Sequence, residues 1–168
     1  MTVVTLGGVT VGIIILIFHL VQWWPGLKPL RNKPLRYLAE LAPFLLAWGY
    51  GCLAILGVGG IVGWAADAAL WISNWLGDVA LVWGVGEQAG QHAGGAMYVP
   101  LTQVGGCIVL ILTAVLIALS KKEKYGKAIR RGAWCGVCLG TSAGVAGFAA
   151  APLAEGANWL GALCYGAL

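Results

Sequence analysis

The sequence predicts an all-α integral membrane protein with four transmembrane helices arranged as two hairpins. Of its 168 residues, 60% are hydrophobic and 10% charged, and the mean hydropathy is +0.87. Soluble domains carry about 25% charged residues, so composition alone indicates a membrane protein. Because one crossing needs about 20 apolar residues, the chain has room for four crossings and for no separate soluble domain.

The whole chain, 1–168, is predicted to form a single membrane domain. Its spans are expected at about 3–24, 37–62, 98–120 and 132–153, with cytoplasmic basic loops at 25–36 and 121–131 and an outer segment at 61–97. Trp23 and Trp24 close the first span, at a depth where aromatic side chains anchor membrane helices.

Positive charge sets the predicted orientation. All ten basic residues fall in two clusters: Lys28, Arg31, Lys33 and Arg36, then Lys121, Lys122, Lys124, Lys127, Arg130 and Arg131. Cytoplasmic loops carry such an excess of Lys and Arg, so both termini are predicted to lie outside. The clusters could serve topology alone. They could also bind anionic lipid headgroups, at about 1 kcal/mol per basic residue, or nucleic-acid phosphates.

Span four carries a ladder of small residues. Gly132, Gly136, Gly140 and Gly144 recur every four residues and share one face of a helix. In lipid, such faces allow close approach of another helix. The ladder is therefore predicted to be a helix-packing surface through which the protein forms a homo-oligomer.

Tryptophan marks the outer segment. Trp64, Trp71 and Trp75 fall on one helical stripe, and Asp67, Asn74 and Asp78 repeat the same spacing on a neighbouring stripe. This pattern is typical of an amphipathic helix at the outer interface, although an outward extension of span two would fit as well. The stripe could be an aromatic belt or a subunit contact, and the sequence does not choose between them.

Residues able to support catalysis are few and scattered. His19 and His92 are predicted on opposite sides of the membrane, and Glu40 and Glu155 at opposite ends of spans. The motif C-x-x-C at Cys135 and Cys138 lies on a helix and lacks two further metal ligands. We therefore expect no enzyme, no catalytic residue and no metal, with a bound phospholipid as the one candidate cofactor.

The two halves share a plan. Each has an apolar span, a basic loop, a span rich in small residues and an outer Gly/Trp segment. An internal duplication would produce this pattern, and so would the topology of any four-helix membrane protein.

The hairpin at Tyr98–Leu168 resembles conjugative pilins of type IV secretion systems. The resemblance lies in the LILTAVLIAL helix, the KKEKYGKAIRR loop and the GAWCGVCLGTSAG helix. It implies helical filaments in which the basic loop contacts phospholipid phosphates at a lumen. Those pilins have two helices, however, where four are predicted here. In size, span count and Gly/Ala/Trp usage the chain is also similar to small plasmid-spread membrane proteins of mycelial bacteria.

These features predict a non-enzymatic oligomeric protein of the bacterial cell membrane. The specific expectation is a structural subunit of a conjugal DNA-transfer assembly, pilus-like or pore-like, that contacts lipids and surrounds passing nucleic acid; its assembly could be a surface filament. One alternative is a small channel, holin-like pore or transporter. Another is an accessory subunit of a larger membrane complex.

Overall fold

In a computed structural model, the described residues are 4–26, 31, 34–57, 60–86, 88, 90–91, 101–142 and 145–166. They form six α-helices: α1 (Leu6–Trp23), α2 (Pro34–Leu56), α3 (Gly60–Val85), α4 (Gln103–Ser120), α5 (Glu123–Gly140) and α6 (Val145–Gly166). The predicted all-helical class is confirmed. Three of these helices, α1, α2 and α3, are long and apolar enough to cross a membrane, and α4 contains a shorter apolar stretch at Gly105–Ser120.

Helices α2 and α5 form the centre of the bundle and run parallel. Gly132 lies against Phe44, Gly136 against Trp48 and Gly140 against Cys52, so residue numbers rise together along both helices. Their contact is the most extensive between any two of the described helices. The first turns of α2 and α5 therefore lie at the same end of the bundle. We call this the basic end, because Arg36 and the basic residues of α5 are there.

Helix α1 packs against this pair in the opposite direction. The ring of His19 stacks on Phe44 with the centroids 4.0 Å apart, whereas Gly12 lies beside Cys138 and Leu139 further along α5. The last turn of α1 thus lies at the basic end, where the indole N–H of Trp23 donates to the Tyr37 carbonyl at 3.0 Å. Its first turn lies at the opposite end, which we call the outer end.

Helix α3 crosses the outer end. Near its start, Gly63 approaches Gly57, just beyond α2, and further along it Gly77 meets Gly7 in the first turn of α1. Gly57 is five residues after Cys52, and Gly7 is five residues before Gly12. Both Cys52 and Gly12 lie beside the last turn of α5. Both contacts are therefore at one level of the bundle, so α3 does not continue the direction of α2.

Several helix bounds differ from the predicted spans. Helix α5 begins at Glu123, so most of the predicted basic loop 121–131 is helical. The predicted span 132–153 is interrupted, because α5 ends at Gly140 and α6 begins at Val145. The Ser142 hydroxyl donates to the Leu139 carbonyl at 2.7 Å, a local bond of the kind that competes with helix continuation.

Helix α2 begins at Pro34, inside the predicted loop 25–36. Proline is favoured at the first helical position because its missing N–H would have no helical partner there. The predicted outer segment 61–97 begins inside α3, and its part from 92 onwards lies outside the described residues.

Candidate functional site

The glycine ladder forms the seam between α2 and α5. A Cβ atom on Gly132 or Gly136 would overlap the backbone carbonyl oxygen of Phe44 or Trp48, and one on Gly140 would lie 2.9 Å from the Cα of Cys52. From the other side, a Cβ on Gly51 would overlap the Ala133 carbonyl. These contacts are backbone to backbone, which is the reason that this seam requires glycine.

This seam has a consequence for the predicted oligomer. Gly132, Gly136 and Gly140 are buried against α2 of the same chain, and Gly144 lies outside the described residues. A second copy cannot reach those three glycines while α2 covers them. The sequence pattern identified a packing face, but its partner is within the chain.

A hydrogen-bonded junction joins the first turn of α1 to α3. The Thr5 hydroxyl caps α1 by accepting from the Gly8 amide at 3.3 Å and donates to the Asp78 carboxylate at 3.0 Å. The Thr5 amide donates to the side-chain oxygen of Asn74 at 3.2 Å. A Cβ on Gly8 would overlap that oxygen, so glycine is what lets Asn74 approach.

The same junction occurs a second time, between α4 and α6. The Thr102 hydroxyl caps α4 by accepting from the Gly105 amide at 3.1 Å, and the Thr102 amide donates to the side-chain oxygen of Asn158 at 2.9 Å. A Cβ on Gly105 would overlap that oxygen. The two junctions have the same three residue types in the same roles.

Two short sequence identities, which reasoning from the sequence missed, accompany these junctions. The run N-W-L-G occurs at 74–77 and again at 158–161, and A-W-x-x-x-C-L occurs at 47–53 and again at 133–139. They lie on corresponding helices, α3 with α6 and α2 with α5. The chain therefore contains two copies of one three-helix arrangement, α1–α3 and α4–α6, around the central pair.

The basic end collects the predicted phosphate-binding residues. The exposed ones are Arg31, Arg36, Lys121, Lys122, Lys127 and Arg130, and Arg131 is partly buried. Lys28 and Lys33 lie outside the described residues, and the side chain of Lys124 is likewise not described. In the described part of the chain no basic side chain forms an ion pair: Arg36 does not meet Glu40, although their spacing would allow it.

Arg131 and His19 lie together at this end. The Arg131 guanidinium donates to the Gln22 side-chain oxygen at 2.6 Å and lies 4.9 Å from the centroid of the Phe18 ring. His19 is 9% exposed, and its Nδ1 has no hydrogen-bond partner. The histidine ring is stacked flat on the ring of Phe44.

Three buried cysteines lie where α1, α2, α3 and α5 meet. The Cys52 thiol donates to the Gly136 carbonyl at 3.5 Å and the Cys135 thiol to the Gly12 carbonyl at 3.4 Å, while Cys138 lies near Ser73 of α3. The two cysteines of the C-x-x-C motif thus face two different helices, α1 and α3. Among the described residues, no group of three or more His, Cys, Asp or Glu side chains could hold a metal ion.

The tryptophan stripe of α3 faces outwards. Trp64, Trp71, Trp75 and Trp83 are between 60% and 88% exposed, whereas Asn74 is buried and Asp78 bonds Thr5. The two predicted stripes therefore have different surroundings: Asn74 and Asp78 of the polar stripe contact α1, whereas the tryptophan side chains are not buried by the described part of the chain.

No family model matches this chain, and neither the curated proteins nor the solved structures include a significant match. The resemblance to conjugative pilins therefore remains a prediction from the sequence.

Proposed function

We propose that this protein is a structural subunit of an oligomeric membrane assembly and that its basic end binds anionic phosphate groups. One observation carries the proposal. The parallel register of α2 and α5 brings Arg36 to the same end as Lys127, Arg130 and Arg131, with no carboxylate paired to them among the described residues. Clustered, uncompensated cations of this kind attract phosphates.

The lateral surface supports a membrane location. Along α1, the exposed side chains include Ile13, Ile14, Ile17, Phe18 and Val21, and α4 and α3 are similarly apolar on their outer faces. A soluble protein rarely exposes apolar patches of this extent. With the glycine seam covered by α2, neighbouring copies would meet through these outer faces.

The setting that we propose is conjugal DNA transfer, and it rests on the sequence resemblance to conjugative pilins. In this chain the matching basic segment is largely the first half of α5 rather than an open loop. The phosphates, whether of lipid or of passing nucleic acid, would then meet a helix face that carries Lys127 and Arg130.

Replacing two exposed cations tests the phosphate site. In Lys127→Gln/Arg130→Gln, loss of about 1 kcal/mol per charge should weaken retention of anionic phospholipid about 30-fold at low salt. Native mass spectrometry of the protein in mild detergent measures that retention. The control, Lys127→Arg/Arg130→Lys, keeps both charges and should bind as the natural protein does. Equal loss in both variants would contradict a charge-based site.

Electron microscopy of the purified protein tests the assembly. We expect rings or filaments of many copies, whereas isolated single chains in mild detergent would overturn the proposal. Ion leakage from liposomes that contain only this protein would instead support the channel or holin-like alternative.

A further inference from the structure

An apolar cavity of about 640 Å³ lies at the outer end, between the end of α2, the first turn of α3 and the start of α4. Its walls include Leu53 and Ala54 from α2, Ile61 and Val62 from α3, and Val109 and Leu110 from α4. Ile61 is 86% exposed and Leu110 is 62% exposed, so the cavity opens sideways, towards the surroundings of the bundle rather than into its centre.

The internal repeat explains why the cavity is there. Gly12 of α1 and Val109 of α4 correspond, because each is seven residues after its capping threonine, Thr5 or Thr102. Leu139 of α5 and Leu53 of α2 correspond, because each is the last residue of the repeated A-W-x-x-x-C-L. Because residue 12 is glycine, α1 packs closely against α5. A Cβ added at position 12 would lie only 2.8 Å from the Cγ of Leu139. Valine at the corresponding position holds α4 away from α2.

A second spacer acts in the same place. The hydroxyl of Tyr50 on α2 accepts from Thr113 of α4 at 3.0 Å, so a whole tyrosine side chain lies between these two helices. The residue that corresponds to Tyr50 in α5 is Gly136. Gly136 contacts Trp48 of α2. Helix α1 contacts α5 extensively, while α4 makes a limited contact with α2.

Water is a poor occupant for this space. A buried water needs two to four polar partners, and the lining is predominantly apolar. The side chain of Thr102, which also lines the cavity, is already bonded to Gly105 and Asn158. The cavity has the liquid volume of about twenty waters, at roughly 30 Å³ each. Left empty, it would deprive its lining of dispersion contacts.

We propose that an acyl chain of a membrane lipid fills this cavity and occupies, in the second half of the molecule, the gap between α4 and α2 that the close contact of α1 with α5 leaves no room for in the first half. The proposal rests on the membrane location argued above, since the bilayer supplies hydrocarbon chains at the open side. It goes further by assigning a specific lipid site, distinct from the basic end and defined by side chains of α2, α3 and α4.

Gly106 offers a way to fill the cavity without disturbing the bundle. It lines the cavity, and a Cβ added there has no neighbour within 4 Å. In Gly106→Phe the new ring would occupy the acyl-chain site. Gly84→Phe is the matched control, because Gly84 also has open space around it and lies in the last turn of α3, away from the cavity.

The experiment uses vesicles that contain a phospholipid with a photoreactive diazirine at the end of one acyl chain. After illumination, mass spectrometry of peptides should find cross-links concentrated on Gly106–Leu110 and around Leu53. We expect at least fivefold fewer of these in Gly106→Phe and no change in Gly84→Phe. Cross-links spread evenly over cavity and outer α1 positions such as Ile14, or unchanged in Gly106→Phe, would overturn the proposal.

Two further measurements keep the outcome clear. Protein that leaves the membranes on alkaline washing would overturn the proposed function, whereas retained protein with evenly spread cross-links overturns only the lipid site. Should Gly106→Phe fail to accumulate, Gly106→Leu places a smaller side chain in the same space. The cross-link distribution of the natural protein tests the site without any variant.

Discussion

The two halves of this molecule use the same junctions and differ in how closely their first helix approaches the centre. In the first half α1 rests on α5 through Gly12, and in the second half Val109 and Tyr50 separate α4 from α2. The comparison teaches that the size of the side chains between two helices decides whether a given place in this fold is a seam or a cavity. Substitutions at corresponding positions should therefore have unequal effects.

The largest effect is expected at the central seam. In Gly136→Ala the added methyl would overlap the Trp48 carbonyl, and relieving an overlap with backbone should lower the free energy of unfolding by about 3 kcal/mol. Gly106→Ala adds the same atom where nothing lies within 4 Å, and should be neutral or slightly stabilising because alanine favours helix. Thermal unfolding in detergent compares them; equal stabilities would contradict the close seam.

Making the first half resemble the second should cost less. In Gly12→Val the side chain would meet Leu139 and Cys138, which forces α1 outward at a cost of about 2 kcal/mol. The control is Gly84→Val, at an open position. A second lipid retained by Gly12→Val in native mass spectrometry would indicate that the opened seam has become a second cavity, whereas unchanged stability would show that α1 does not depend on this contact.

The two junctions should respond differently to loss of their asparagine. Asn74 is 7% exposed, so Asn74→Ala leaves the buried Thr5 amide without that acceptor, at about 1–2 kcal/mol. The bonds between Thr102 and Asn158 are exposed, and Asn158→Ala should cost less than about 1 kcal/mol because water can replace the side chain. The midpoint temperatures of thermal unfolding measure this contrast. A larger loss of stability in Asn158→Ala than in Asn74→Ala would contradict the prediction.

The smallest contrast concerns the repeated tryptophans. The Trp134 indole N–H donates to the Ser73 hydroxyl at 2.8 Å, whereas the residue of α6 that corresponds to Ser73 is Ala157, which has no hydroxyl to offer Trp48. Trp134→Phe should therefore lose about 1 kcal/mol more than Trp48→Phe, as measured by the same thermal unfolding. Equal losses would mean that the hydrogen bond adds no stability.

The sequence predicted the helical class and helices that are long and apolar enough to cross a membrane. These follow from periodicity and charge, which act locally along the chain. Gly132, Gly136 and Gly140 were also recognised as a packing face. Their partner could not be, because spacing on one helix specifies a surface and leaves open which backbone covers it.

The sequence raised a duplication of the two halves as one of two alternatives but did not identify the residues that the halves share, for a similar physical reason. The repeat's conserved units are short, and the connections between them differ: Thr5 precedes Ala47 by 42 residues, whereas Thr102 precedes Ala133 by 31. What both halves preserve is a set of contacts, such as Thr5 with Asn74 and Thr102 with Asn158. Those contacts join residues that are far apart along the chain.

Carrying both three-helix units on one polypeptide has a consequence that two separate chains would not allow. In a symmetric dimer of identical subunits, the position held by Gly12 and the position held by Val109 would have to be the same residue. Joining the units also keeps the partner at high effective concentration, of millimolar order for short linkers. One three-helix unit can then pack closely, while the other can pack less closely and leave space for a bound lipid.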